Sequence, residues 1–203
     1  MPWSLWRSST LKRRFQVWGL LAGLLALTAC GGAQSYWAPD SEIEDHTVVT
    51  GERPYLMLKT MVSNKSGSGG HSSLLINGSR LVMWDPAGRW FHEDAPERND
   101  VVHGLTPALL QRYNSFHARD THHVVSQKVY VSPRVAQMAM QLAMNNGAAG
   151  DARCAVTTSA ILRQLPGFGS IQQTWFPAKL MQQFEKIPGV KTTRYYENDT
   201  GKN

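Results

Sequence analysis

Cys154 lies in the run Asp151-Ala152-Arg153-Cys154-Ala155-Val156-Thr157-Thr158-Ser159, where a small-residue stretch (145–150) gives way to an apolar helical pattern. A thiol in the first turn of a helix feels the partial positive charge of the free N–H groups there, which favours the thiolate. The same position also suits a buried small hydrophobe, because free cysteine is among the most buried residue types. For a thiol to work as a nucleophile it needs an imidazole within hydrogen-bond reach and a polar group that orients the imidazole. His71 and Asp85 are the residues whose placement can supply both.

Those placements depend on the elements around them. His71-Ser72-Ser73-Leu74-Leu75-Ile76-Asn77 reads as a strand with His71 at its mouth. Asn77-Gly78 is a hairpin-turn signal, since both residues tolerate positive φ. Arg80-Leu81-Val82-Met83-Trp84-Asp85 is the returning strand, stopped by Pro86 and Gly88. Pairing about that turn brings Asp85 beside His71 to within a residue or two. Further strands are expected over residues 53–62 and 122–131, with an edge strand over 190–196. Helices are expected over 106–116 (Thr106 as cap, Pro107 first), from Ser132-Pro133 to about 145, from Cys154 to about 165, and over 176–184. Residues 89–103 read as loop, and no internal repeat is visible. The expected class is α+β: an antiparallel sheet packed against helices, with Cys154 at a helix N-terminus.

The order His, polar residue, Cys differs from that of papain, where Cys comes first. The segments His71-Ser72-Ser73-Leu74-Leu75-Ile76-Asn77-Gly78, Val82-Met83-Trp84-Asp85 and Arg153-Cys154-Ala155-Val156-Thr157-Thr158-Ser159-Ala160-Ile161-Leu162 resemble the circularly permuted NlpC-like papain-fold superfamily. That group includes bacterial lipoprotein hydrolases and the lecithin:retinol acyltransferase relatives. Trp175-Phe176-Pro177-Ala178-Lys179-Leu180 is similar to the aromatic-Pro-x-x-Leu segment that often follows the Cys helix in the group. The resemblance spans residues 55–196 and implies a papain-like domain with Cys154 as nucleophile, His71 as base and Asp85 as orienter. Two positions depart from the pattern. Arg153 stands where Asn is common, and Asp85 where the third residue is commonly His, Glu or Asn.

Other chemistries find less support. His117, His122, His123 and Asp120 crowd one region, but their spacing is no zinc signature, and adjacent His122 and His123 point to opposite faces of a strand. No metal or cofactor is expected. The Gly/Ser loop over residues 63–70 lacks the Gly-Lys-Ser/Thr ending of a phosphate loop, and no Gly-x-Ser-x-Gly elbow marks a serine hydrolase. The methionines of 138–144 read as core filling. Trp84, Trp90 and Trp175 are either core or the lining of a substrate groove.

Residues 1–29 read as an export signal: a basic stretch containing Arg7, Lys12, Arg13 and Arg14, then an apolar run over 17–29 that is short for a bilayer span. It ends in Leu27-Thr28-Ala29-Cys30, similar to a bacterial lipobox, which implies acylation of Cys30 and a mature chain starting there. Gly31 after the cysteine is not Asp, which by resemblance to enterobacterial lipoprotein sorting implies the outer membrane and a periplasmic face. The formal net charge of +6 falls to about +2 without the signal, with no Lys/Arg run of the kind that tracks phosphates, so nucleic acid is not an expected partner. Residues 30–51 read as a tether and 52–203 as the domain. The expected activity is a membrane-anchored cysteine hydrolase or acyltransferase acting on an amide or ester bond in cell-wall peptides or lipids. The alternative is a catalytically inactive envelope lipoprotein that binds or scaffolds.

Overall fold

In the computed structural model of the chain, residues 36–197 are described. The export signal, Cys30 and the first residues of the tether lie outside them. Among the described residues the protein is α+β, with seven strands in one antiparallel sheet and five helices. In chain order these are α1 Asp40–Asp45, β1 Tyr55–Ser63, β2 Gly69–Asn77, β3 Leu81–Trp84, β4 Glu97–Arg98, β5 Val101–Val102, α2 Pro107–Ala118, β6 His122–Tyr130, α3 Pro133–Asn146, α4 Cys154–Leu162, α5 Pro177–Phe184 and β7 Lys191–Tyr196. The sheet order is β4-β5-β3-β2-β1-β6-β7.

The central strands β1 and β2 are buried along most of their length, because helices cover both faces of the sheet. One face carries Leu56, Leu58, Leu74, Ile76, Val82 and Trp84, packed under α3, α4 and α5 through Met140, Leu162 and Phe184. The other carries Met61, Leu75, Met83 and Val124, packed under α2 through Leu109 and Tyr113. By strand alternation His71, Ser73 and Lys59 belong to the α2 face, and Ser72 and Leu74 to the other. Each large aliphatic side chain buried this way contributes about 1.5–3 kcal/mol.

Helix starts follow local chemistry. Thr106 caps α2 by accepting from Leu109 N at 3.3 Å, and Ser132 caps α3 by accepting from Val135 N at 3.3 Å, each followed by proline. Three features differ from the sequence expectation. The hairpin between β2 and β3 has a three-residue loop, with Asn77 paired to Leu81. Asn77 owes its place to its buried amide, which accepts from Thr50 Oγ1 at 2.9 Å and donates to Arg53 O at 3.2 Å. Gly78 packs closely as well, since a Cβ there would lie 3.1 Å from Met140 Cε, the flexible end of that side chain. Next, residues 89–103 are not all loop: β4 and β5 form a miniature hairpin at the sheet edge, with Asn99 and Asp100 both at positive φ (50° and 63°) in its turn. Finally, the tether-like composition before Gly51 conceals ordered chain from Tyr36 onward, where Trp37 bridges to Arg98 and Ile43 of α1 is buried.

Candidate active site

The site forms where β3 ends. β3 pairs with β2 only as far as Trp84 opposite Leu74, so the first five residues of β2 have no partner on that side. The strand stops there for two local reasons. Asp85 N donates to Asp100 O (2.8 Å) and leaves the β2 ladder, and Pro86 has no N–H to offer. Into this gap comes the first residue of α4, Cys154, from the helix layer on the opposite face. The His71 side chain and the backbone N–H groups of Ser72 and Ala155 act on its thiol. The end of β3 thus lets a thiol from one face of the sheet reach a histidine on the other.

Asp85 is 3% exposed, and its Oδ1 lies 2.7 Å from His71 Nε2. With Nε2 engaged, Nδ1 is the ring nitrogen left for the thiol. Tyr113 from α2 donates its hydroxyl to the same Oδ1 at 2.8 Å, and its oxygen lies 2.9 Å from Ser73 Oγ. The carboxylate is therefore held from β2 and from α2 at once. Gly88 makes room for it: a Cβ at that position would collide with Asp85 Oδ2.

The electrostatics follow from these contacts. Burial by itself lowers the His71 pKa, but the charge and hydrogen bond of Asp85, followed by those of Cys154, more than reverse this and raise it to about 10. Burial by itself raises the Cys154 thiol, yet the hydrogen bond and charge of His71, with the N–H groups of Ser72 and Ala155, hold it below its ordinary value. Burial also works against the Asp85 carboxylate, and His71, with help from His117 and Tyr113, holds its pKa below the ordinary value. The two shifts run in opposite senses, and both favour a thiolate–imidazolium pair backed by a carboxylate.

Around this centre lie side chains of a second kind. His117 stacks on His71 (centroids 5.9 Å apart, planes 9° apart), and its Nδ1 is 2.9 Å from Tyr113 O. Burial lowers the pKa of this ring, against the pull of Asp85 and the Tyr113 carbonyl. Phe116, exposed, stands edge-on to His117. Arg153 is exposed and lays its guanidinium over the Trp175 ring, 5.6 Å from the centroid, and Trp175 and Phe176 are exposed in turn. Trp84 and Trp90 are buried in the core.

The three candidate residues of the sequence, Cys154, His71 and Asp85, thus lie together. Tyr113, Ser73, Gly88 and Asp100 went unnoticed, since each meets Asp85 or its turn through contacts that leave no local motif. The crowded histidines take separate partners: His122 Nδ1 lies 2.8 Å from Thr121 Oγ1, and His123 Nδ1 lies 2.7 Å from Asn64 Oδ1. Among the described residues no group of three His, Cys, Asp or Glu side chains is placed to hold a metal ion. Comparison of the chain with protein-family models, curated proteins and solved structures finds no match to any of them.

Proposed function

We propose that this protein is an envelope-anchored thiol hydrolase or acyltransferase with a permuted papain-like domain. The observation that carries the reading is His71 held between the buried Asp85 carboxylate, at 2.7 Å, and the Cys154 thiol, with each of the three on a different segment of the fold. The order of a histidine strand, an acidic strand end and a cysteine helix supports the papain-like assignment in its permuted form.

In the reaction, the Cys154 thiolate attacks a carbonyl carbon, a C–S bond forms, and the carbonyl oxygen takes up negative charge. The backbone N–H of Cys154, at the open end of α4, donates to that oxyanion. Imidazolium His71 passes its proton to the departing amine or alkoxide as the C–N or C–O bond breaks. Water or another acceptor then attacks the thioester, His71 takes its proton, and the thiolate leaves. Asp85 keeps the ring oriented and stabilises its charge throughout. The exposed aromatic rim of Phe116, Trp175 and Phe176 favours a substrate with an apolar portion near the scissile bond. Cell-wall peptides and acyl esters are the substrate classes within reach of a lipid-anchored envelope protein. No metal or other cofactor takes part in this scheme.

Alkylation by iodoacetamide tests the reading. Cys154 in the wild-type chain is expected to react at neutral pH, with a rate that levels off well below the ordinary thiol pKa of 9.0. His71→Ala is expected to slow the neutral-pH reaction by about tenfold or more, because it returns the thiol to its protonated form. A slow reaction that is indifferent to His71 would favour the inactive binding lipoprotein instead.

A further inference from the structure

We propose that Asp100 is a positioning residue that sets the spacing between the His71–Asp85 limb of the site and the start of the Cys154 helix. The inference rests on the thiol reading above.

Asp100 is 4% exposed and makes three backbone bonds. Its carbonyl accepts from Asp85 N at 2.8 Å. Its Oδ2 accepts from Ala87 N at 2.9 Å and from Ala149 N at 2.7 Å. Ala87 belongs to the turn that follows Asp85, and Gly88 N closes that turn onto Asp85 O at 2.9 Å. Ala149 opens the segment leading to Cys154, in which Arg153 N bonds Gly150 O at 3.2 Å and Ala152 stands at φ 59°. One carboxylate oxygen therefore ties the acid limb to the nucleophile limb, across 49 residues of sequence.

Residues on both sides of this tie adopt the left-handed backbone region. Asn99 (50°), Asp100 (63°), Ala87 (56°) and Ala152 (59°) all adopt positive φ without being glycine. Conformations of this kind persist where surrounding contacts over-determine them. Among the described residues no cation makes an ion pair with Asp100, so its buried carboxylate is held by backbone N–H groups. That is an arrangement suited to fixing geometry.

Geometry and charge make opposite predictions. If Asp100 acted only through its field, removing a negative charge near the site would favour the thiolate. If it acts as a clamp, losing the acceptor lets Cys154 drift from His71 and disfavours the thiolate. The test is the pH dependence of Cys154 alkylation by iodoacetamide, together with the 240 nm absorbance of the thiolate and a thermal melt, in Asp100→Ala, Asp100→Asn and Asp100→Glu. Asp100→Ala is expected to move the thiol pKa upward and to slow neutral-pH alkylation by about tenfold. Asp100→Asn keeps an oxygen that accepts both N–H bonds and is expected to return the profile to that of the wild type. Should Asp100→Ala fail to fold, Asp100→Glu carries the test, because it keeps charge and acceptor but displaces Ala149; an intermediate profile is expected. A folded Asp100→Ala or Asp100→Glu with the wild-type profile overturns the clamp, as does a downward shift of the thiol pKa. If the wild-type thiol itself titrates normally and ignores His71→Ala, the hydrolase reading falls and the clamp falls with it. A wild-type thiol that depends on His71 but not on Asp100 overturns the clamp alone.

Discussion

Cys154 and His71 are each shifted away from their ordinary titration, in opposite senses, and this couples the site to stability in a specific way. His71, raised from 6.5 to about 10, holds a proton in the folded chain that it loses on unfolding at mildly alkaline pH. Its contribution is complete below 6.5 and is lost as pH rises through about 10. Cys154, lowered from 9.0, lacks in the folded chain a proton that it regains on unfolding. Its contribution is complete above 9.0 and is lost as pH falls through its folded value. Where both shifts operate, the two protons offset each other and the pair adds little slope. Cys154→Ala removes one side of that balance. The variant's unfolding free energy is expected to fall as pH rises from 6.5, by up to about 1.4 kcal/mol per pH unit, whereas the wild type is flatter over the same range. Urea unfolding of both chains at several pH values checks this. Parallel pH curves would show that the Cys154 thiol titrates alike in the folded and unfolded chains.

Elements meet around the site through small residues, and Gly69 is the case where a strand meets a helix start. A Cβ on Gly69, the first residue of β2, would lie 2.5 Å from Ala178 N and 2.8 Å from Pro177 Cβ, both in the first turn of α5. Neither atom is the end of a flexible side chain, so the helix start or the strand must move. Gly69→Ala is expected to cost about 1–3 kcal/mol, and its effect should extend to His71, two residues along the strand. Thermal melting read beside Cys154 alkylation checks both parts. An unchanged melt with unchanged reactivity would mean that the contact yields without consequence.

The same elements indicate how far the sequence could be read. β2, β6, α2 and α3 were legible because a short apolar run closed by a turn or proline signal, or a Ser/Thr-Pro start, marks them locally. Asp85 was legible as a neighbour of His71 because a hairpin folds its own end back. The turn chemistry behind that inference was different, however: Asn77 serves through its buried amide and Gly78 through its missing side chain. β4 and β5 were illegible because two-residue strands carry no period. Tyr113 and Asp100 were illegible because what they hold lies 28 and 49 residues away in sequence, and only the folded sheet brings it within reach.

For the whole molecule, the proposed function gives the two cysteines separate roles, and one comparison can test this. Cys154 is a free, buried thiol. An unpaired thiol in an exported protein is exposed to oxidising conditions and would ordinarily be drawn into a disulfide. Cys30 is the other cysteine of the chain, and acylation of its sulfur would remove it as a partner. Lipidation would then have two consequences: it would anchor the chain, since each buried CH₂ contributes about 0.8 kcal/mol, and it would leave Cys154 the sole thiol. In cells labelled with a fatty acid, the mature wild-type chain is expected to carry label, with an N-terminal peptide beginning at an acylated Cys30. Cys30→Ser is expected to lose the label, while His71-dependent alkylation of Cys154 in the purified chain stays within about twofold of wild type, because a separate residue supplies the nucleophile. Label retained by Cys30→Ser, or a mature chain that begins elsewhere without acylation, would remove the anchor and with it the reason to place the substrate in the envelope. Loss of Cys154 reactivity in Cys30→Ser would instead show that anchor and site are not independent.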